Sequence, residues 1–383
     1  MKKSLLLFVT FLFSYTLTLS AQTITGSITH EGIERKYRLF LPSDYNDYES
    51  IPLVFNLHGY ESNGAQQELY TAMNAVADTA KFFVCYAEGH KFNGADQAWN
   101  VGWTIGSTKD DVGFLSKLID SLSLDYNINL DAVFSTGMSN GGFMSYKLAC
   151  ELNDRIKAIA SVTGSMVDSE AQNCSPAASI PVMQIHGTLD PIVGYNGTPF
   201  ISIPIEELVS NWVGLNECEM TPDTISVPNI DPNDGTTSER IEYNDCDGDS
   251  RVVFYKVTGG GHTWPGALIN IGIATSQDFE ASVEIWRFFR QYTTPLILSN
   301  KEILKTSEVE ITPNPFTNFI NIKSESGYIN SFRVHNAIGK LVRFQTDLNQ
   351  NIVQLSTSDF EKGIYFISVE TDSGISVVKT IKH

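Results

Sequence analysis

Ala132-Val133-Phe134-Ser135-Thr136-Gly137-Met138-Ser139-Asn140-Gly141-Gly142-Phe143 is the run from which the architecture of this chain follows. Residues 132–135 read as a short apolar strand, and 141–152 as an amphipathic helix. Ser139 falls in the turn between them, where a strand-turn-helix setting strains a serine outward at the edge of a sheet. Glycines at 137, 141 and 142 leave room for that turn and for the helix to approach the sheet.

The alternation continues on both sides. Strands are expected at 51–57, 82–86, 156–162, 181–185 and 251–257, and helices at 65–80, 110–124, 205–213 and 278–290. Strands taking turns with helices predict an α/β fold, a mostly parallel sheet covered on both faces. Before it, Tyr37-Arg38-Leu39-Phe40-Leu41 and a turn at Gly32 predict a β-hairpin over 23–42. Residues 216–250 turn rich in Asn, Asp, Pro, Gly and Thr and read as an excursion over the surface. Asp245, Asp247 and Asp249 there imitate a calcium loop, but Ser250 and Lys256 stand where its glycine and glutamate belong, so no metal is expected.

A serine hydroxyl needs a base within reach, and the base needs a partner to hold its ring. His262, in Gly259-Gly260-Gly261-His262-Thr263-Trp264, follows the strand 251–257 and projects from the same sheet edge as Ser139. Asp190 follows the strand 181–185 and is the expected orienter; His186, at that strand's end, is the rival base. The order Ser139, Asp190, His262 is that of an α/β-hydrolase. Backbone donors for an oxyanion are expected from Asn140, at the helix start, and from Tyr60, in Leu57-His58-Gly59-Tyr60. Trp99, Trp103 and Trp264 are read as platforms for a sugar or an aromatic acyl group, with core packing as the alternative.

The bulk properties bound the setting. Lys2 and Lys3, an apolar run over 5–19 and small residues at Ser20 and Ala21 make 1–21 a secretory signal. Ser14, Tyr15 and Thr16 interrupt it too early for a membrane anchor, and no later stretch is apolar enough to span a bilayer after processing. A net charge of -18 on 383 residues argues against nucleic acid or an anionic membrane surface as partner. Export would place five cysteines in an oxidising compartment. Cys85 lies in an apolar run and reads as a buried thiol; Cys150 with Cys174 and Cys218 with Cys246 are then candidate pairs, and sequence leaves the connectivity open.

The α/β pattern fills 22–292. Residues 293–306 read as a linker, and 307–383 as a small all-β sandwich of short strands such as Phe319-Ile320-Asn321-Ile322 and Ile364-Tyr365-Phe366-Ile367.

Taken together, Tyr37-Arg38-Leu39-Phe40-Leu41-Pro42, Leu57-His58-Gly59, Gly137-Met138-Ser139-Asn140-Gly141-Gly142, His186-Gly187-Thr188-Leu189-Asp190-Pro191 and Gly261-His262-Thr263-Trp264-Pro265-Gly266 resemble the secreted esterases that group polyhydroxybutyrate depolymerases with feruloyl and acetylxylan esterases, carbohydrate esterase family one. The resemblance covers about Tyr37 to Phe289. It implies an α/β-hydrolase that cleaves esters through Ser139, Asp190 and His262 without metal or cofactor. Tyr60-Glu61 departs from the small residues or cysteine that often follow His-Gly in relatives, which touches the acyl pocket rather than the chemistry.

Ile311-Thr312-Pro313-Asn314-Pro315-Phe316, Val334-His335-Asn336-Ala337-Ile338-Gly339-Lys340, Gly363-Ile364-Tyr365-Phe366-Ile367 and Val377-Val378-Lys379 resemble the C-terminal sorting domain of type IX secretion. That implies an exported protein, released or held at the cell surface, whose partners are the secretion machinery and an ester substrate. Feruloyl or acetyl esters of plant polysaccharide are the first expectation and hydroxyalkanoate polyester the second; a peptidase is a weaker rival. A surface-displayed binding protein without catalysis is the alternative of another class.

Overall fold

The computed structural model describes residues 20–94, 96–269, 273–293, 296, 309–325, 327–337, 340–346, 348–372 and 374–383. The secretory signal thus lies almost wholly outside the described residues, as does most of the expected linker. The chain divides into two compact units, Met1–Ser299 and Asn300–His383.

The first unit opens with the hairpin β1 (Gln22–His30) and β2 (Ile33–Leu41), then β3 (Ile51–Leu57), α1 (Gly64–Thr71), α2 (Met73–Ala80) and β4 (Phe83–Ala87). A small hairpin, β5 (His90–Asn93) and β6 (Asp96–Ala98), precedes α3 (Asp111–Asp125), β7 (Ile128–Met138) and α4 (Asn140–Glu151). There follow β8 (Ala158–Val162), α5 (Asp168–Asn173), β9 (Val182–Gly187), α6 (Ile205–Leu215), β10 (Asp223–Ser226), β11 (Thr237–Tyr243), β12 (Val252–Thr258) and α7 (Ala281–Phe289).

Ten strands form one sheet in the order β1-β2-β4-β3-β7-β8-β9-β12-β11-β10. The six central strands pair in parallel, and β1, β2, β11 and β10 extend them antiparallel. Successive side chains of a strand face opposite ways, and two cores result. Leu39, Leu53, Phe55, Phe83 and Cys85 pack with α3, α4 and α6 on one face. Phe40, Val54, Val84 and Phe134 pack with α2 and α7 on the other. Strands buried on both faces explain why these stretches read as continuous apolar runs.

Three expectations change. The helix expected over 65–80 is two helices, broken at Ala72 in the left-handed region (φ 49°). There the Thr71 carbonyl accepts from the Ser282 hydroxyl at 2.7 Å, a tertiary bond. The surface excursion over 216–250 contains β10 and β11, which enlarge the sheet. β10 is the edge strand, with all four residues exposed, and β11 beside it is polar, so neither carries an apolar alternation to read. The strand expected at 132–135 runs from Ile128 to Met138, delivering the chain directly to Ser139.

Disulfides join Cys150 to Cys174 and Cys218 to Cys246, and Cys85 is a buried free thiol whose pKa burial pushes up. In the second unit, β13 (Val309–Thr312), β14 (Phe319–Ser324), β15 (Ile329–Asn336), β16 (Leu341–Gln345), β17 (Ile352–Ser356), β18 (Gly363–Thr371) and β19 (Gly374–Lys382) form two sheets, β13-β14-β17 and β16-β15-β18-β19. One cluster including Phe316, Ile320, Phe332, Tyr365 and Ile367 fills the space between them. Tyr365 is buried in that cluster.

Candidate active site

Between β7 and α4, Ser139 has φ 53° and ψ -123°, a conformation non-glycine residues adopt at a cost of roughly 1–3 kcal/mol. The surrounding bonds hold it there. Its amide donates to Val162 O of β8 at 2.9 Å, and its carbonyl starts α4 by accepting from Phe143 N at 3.0 Å. A Cβ on Gly141 would lie 2.1 Å from Leu57 O, so only glycine lets the first turn of α4 press against the end of β3.

Asp190 and His262 reach this edge from the loops after β9 and β12. Asp190 Oδ1 accepts from the amides of Ile192 and Val193 at 2.8 and 2.9 Å, and Oδ2 accepts from His262 Nδ1 at 2.7 Å. With its Nδ1 proton given to Asp190, the ring keeps Nε2 free as a base. The two loops meet backbone on backbone: a Cβ on Gly187 would lie 2.2 Å from Gly260 O. Farther along, the Trp264 amide donates to the Tyr70 hydroxyl at 3.3 Å. Ser139 and His262 line one cleft of about 490 Å³, with Gly59, Tyr60, Tyr70 and Ile269 among its other walls.

The Tyr60 and Asn140 amides sit on the two segments beside Ser139. A Cβ on Gly59 would be 3.4 Å from Ser139 Cβ and 4.0 Å from its Oγ, so this loop runs alongside the hydroxyl. Among the described residues neither amide donates to a backbone carbonyl. Asn140 adds a feature absent from the sequence reading. Its buried amide side chain accepts from Trp99 N at 2.7 Å and donates to Trp99 O at 3.2 Å.

That bond explains one of two corrections. Trp99 is 1% exposed and gives its indole N–H to His58 O at 3.0 Å, so it braces the loop and offers no face to a substrate. Trp264 is also 1% exposed, packed in the core against α7 with its indole bonded to Ser282 Oγ at 3.2 Å. Trp103, by contrast, is half-buried, edge-on to Phe143 at 5.0 Å and to the cleft-wall residue Tyr60 at 6.0 Å, with its indole on Ile201 O, so it stands beside the cleft.

Two histidines support the site from behind. His58 Nδ1 donates to Gly59 O at 2.7 Å while its Nε2 accepts from Gly89 N at 2.9 Å, which locks the loop that carries Tyr60. His186 is wholly buried, both ring nitrogens engaged with Gln184 and Val193 O, so it has no path to Ser139 as a base. Burial pushes both imidazoles down from 6.5 to about 4. Unfolded, they take up protons from pH ~6.5 downward, so their contribution is full above ~6.5 and is lost as pH falls to ~4, up to about 3 kcal/mol each. Urea unfolding midpoints are therefore expected to be lower at pH 5 than at pH 7; equal midpoints would show that these rings are not held neutral.

Comparison with known proteins finds esterases. Residues 35–200 match the family model described as esterase PHB depolymerase, and residues 310–383 that of the secretion system C-terminal sorting domain. A putative esterase of Nocardia uniformis subsp. tsuyamanensis is 29% identical over 265 residues, 64% of this chain and 75% of that protein. A probable feruloyl esterase C of Aspergillus niger is 26% identical over 266 residues, 68% and 85% of the two chains. A bifunctional acetylxylan esterase/xylanase of Neocallimastix patriciarum is 26% identical over 71% of this chain, which spans 35% of its length. The solved acetyl xylan esterase from Aspergillus awamori superposes with a TM-score of 0.50 at 14% identity, covering 70% of this chain and all of that one. The fold is that of the α/β-hydrolases. Among the described residues no helix is long and apolar enough to cross a membrane.

Proposed function

We propose that this chain, an exported carboxylic ester hydrolase with the α/β-hydrolase fold, works by two-step acyl transfer through Ser139. His262 Nε2 takes the hydroxyl proton as Oγ attacks the ester carbonyl. The amides of Asn140 and Tyr60 receive the oxyanion, each such donor contributing about 10²–10³ in rate. His262 returns the proton to the departing alcohol, then activates the water that frees the acid, while Asp190 stabilises the imidazolium formed in both steps. The observation that carries this reading is the strained Ser139 sharing a cleft with a histidine whose other nitrogen is bound to a buried carboxylate at 2.7 Å.

The substrate we assign first is a feruloyl or acetyl ester of plant polysaccharide, in line with the names of the fungal relatives. Polyester is the second reading, and one observation favours it. Leu69 and Ile269, on the walls of the cleft, are 71% and 41% exposed, and Leu268 beside Ile269 is 92% exposed, an aliphatic mouth suited to a hydrophobic chain. For export, we assign the C-terminal unit the type IX secretion machinery as its partner.

A fluorophosphonate should modify Ser139, read from the mass of its peptide. Rates on methyl ferulate, acetylated xylan and hydroxybutyrate oligomers then separate the substrates. Methyl ferulate or acetylated xylan is expected to exceed the oligomers by at least about tenfold in kcat/KM. The reverse order would transfer the assignment to polyester, and labelling elsewhere would remove Ser139 from its role.

A further inference from the structure

The buried row behind Asp190 is polar where packing alone calls for apolar residues. Tyr146 on α4, and Gln184 and His186 on β9, are all inaccessible to solvent. Placing three such side chains there is costly unless each is bonded, and here each is. The Tyr146 hydroxyl donates to Gln184 Oε1 at 2.8 Å. That leaves the Gln184 amide nitrogen to donate to Gly164 O at 2.8 Å and to His186 Nδ1 at 3.0 Å. Since Nδ1 must accept, His186 carries its proton on Nε2. This proton points at Val193 O, 2.9 Å away, with Asp190 Oδ2 at 3.5 Å.

From this geometry we infer that His186 is a positioning residue for the acid of the site: held as its Nε2–H tautomer by the Tyr146–Gln184 pair, it fixes the 190–193 turn so that Asp190 Oδ2 faces His262. The inference rests on the catalytic reading of Ser139, Asp190 and His262. The same oxygen of Asp190 meets both imidazoles, at 2.7 and 3.5 Å. A second cation there would compete with His262 for the carboxylate. Burial keeps His186 neutral, so its Nε2–H bonds Val193 O beside the carboxylate without bringing a charge there. Val193 takes part twice, its amide bonded to Asp190 Oδ1 and its carbonyl to His186. The turn is thereby closed from both sides of the carboxylate.

The test uses the exported enzyme, a 4-nitrophenyl ester, and the far-downfield NMR signal of the proton between His262 and Asp190. His186→Leu is expected to lower kcat about 30-fold, the scale of a small misplacement of a catalytic group, with KM within about twofold. The downfield signal should broaden or vanish. His186→Gln, which restores an N–H near the same place, should recover most of the rate and the signal. Tyr146→Phe, which frees Gln184 to turn its amide, should give a smaller loss of the same kind. A folded His186→Leu enzyme with wild-type kcat and an unmoved signal overturns the inference. Should His186→Leu not fold, unchanged kcat and signal in Tyr146→Phe do so instead. Failure of the underlying reading looks different: wild-type enzyme would then hydrolyse the ester with no dependence on Ser139.

Discussion

Ser139→Ala is expected to lower kcat on 4-nitrophenyl acetate by about a millionfold, with KM little changed. The substitution removes one oxygen and adds nothing. Alanine meets the same backbone strain at φ 53°, and the bonds that fix the turn, from its amide to Val162 O and from Phe143 N to its carbonyl, involve no side-chain atom. Circular dichroism and the melting temperature should therefore match wild type. Only the nucleophile is lost, and what remains is the rate that binding and the oxyanion donors supply to attack by water. A variant within about a hundredfold of wild type would show that the hydrolysis runs through another group.

Asp190→Asn is expected to cost about 10⁴ in kcat, and the reason lies in the turn rather than in charge alone. Oδ1 accepts from the amides of Ile192 and Val193, so the oxygen of an asparagine stays on that side and its NH₂ faces His262. Nδ1 must then accept, which moves the ring proton to Nε2, the nitrogen that should receive the proton of Ser139. The amide cannot escape by flipping without placing its NH₂ against two backbone donors. Steady-state kinetics on the same ester decide it: a loss of tenfold or less would mean that His262 is held in its tautomer by something other than Asp190.

Much of the fold was legible because the central strands are buried on both faces and the helices between them are amphipathic, both of which leave their period in the sequence. What was lost had no such trace. At the break at Ala72 the Thr71 carbonyl is met by a hydroxyl more than two hundred residues away, β10 is an exposed edge strand and β11 a polar one. The site followed the same division. Ser139, Asp190 and His262 each follow a strand and lie in glycine-marked turns, so the serine and histidine that share the cleft, and the carboxylate bonded to that histidine, could be named from the chain. Trp99 and Trp264 could not be placed, because sequence distance from a histidine says nothing of which way an indole points. Asn140 and His58 were read for their backbone positions only. Their side chains matter through bonds to Trp99 and Gly89, pairings of long sequence separation.

The contact between Gly187 and Gly260 has a practical corollary for redesign. Because Gly187 meets the Gly260 carbonyl main chain to main chain, that part of the spacing between the acid and base loops does not depend on a side chain that a library would vary. Of the aliphatic mouth, Leu69 lies on α1, apart from both loops, whereas Leu268 and Ile269 share the β12–α7 connection with His262. Acyl preference can accordingly be evolved at Leu69 by cassette replacement while the proton-handling pair is left untouched.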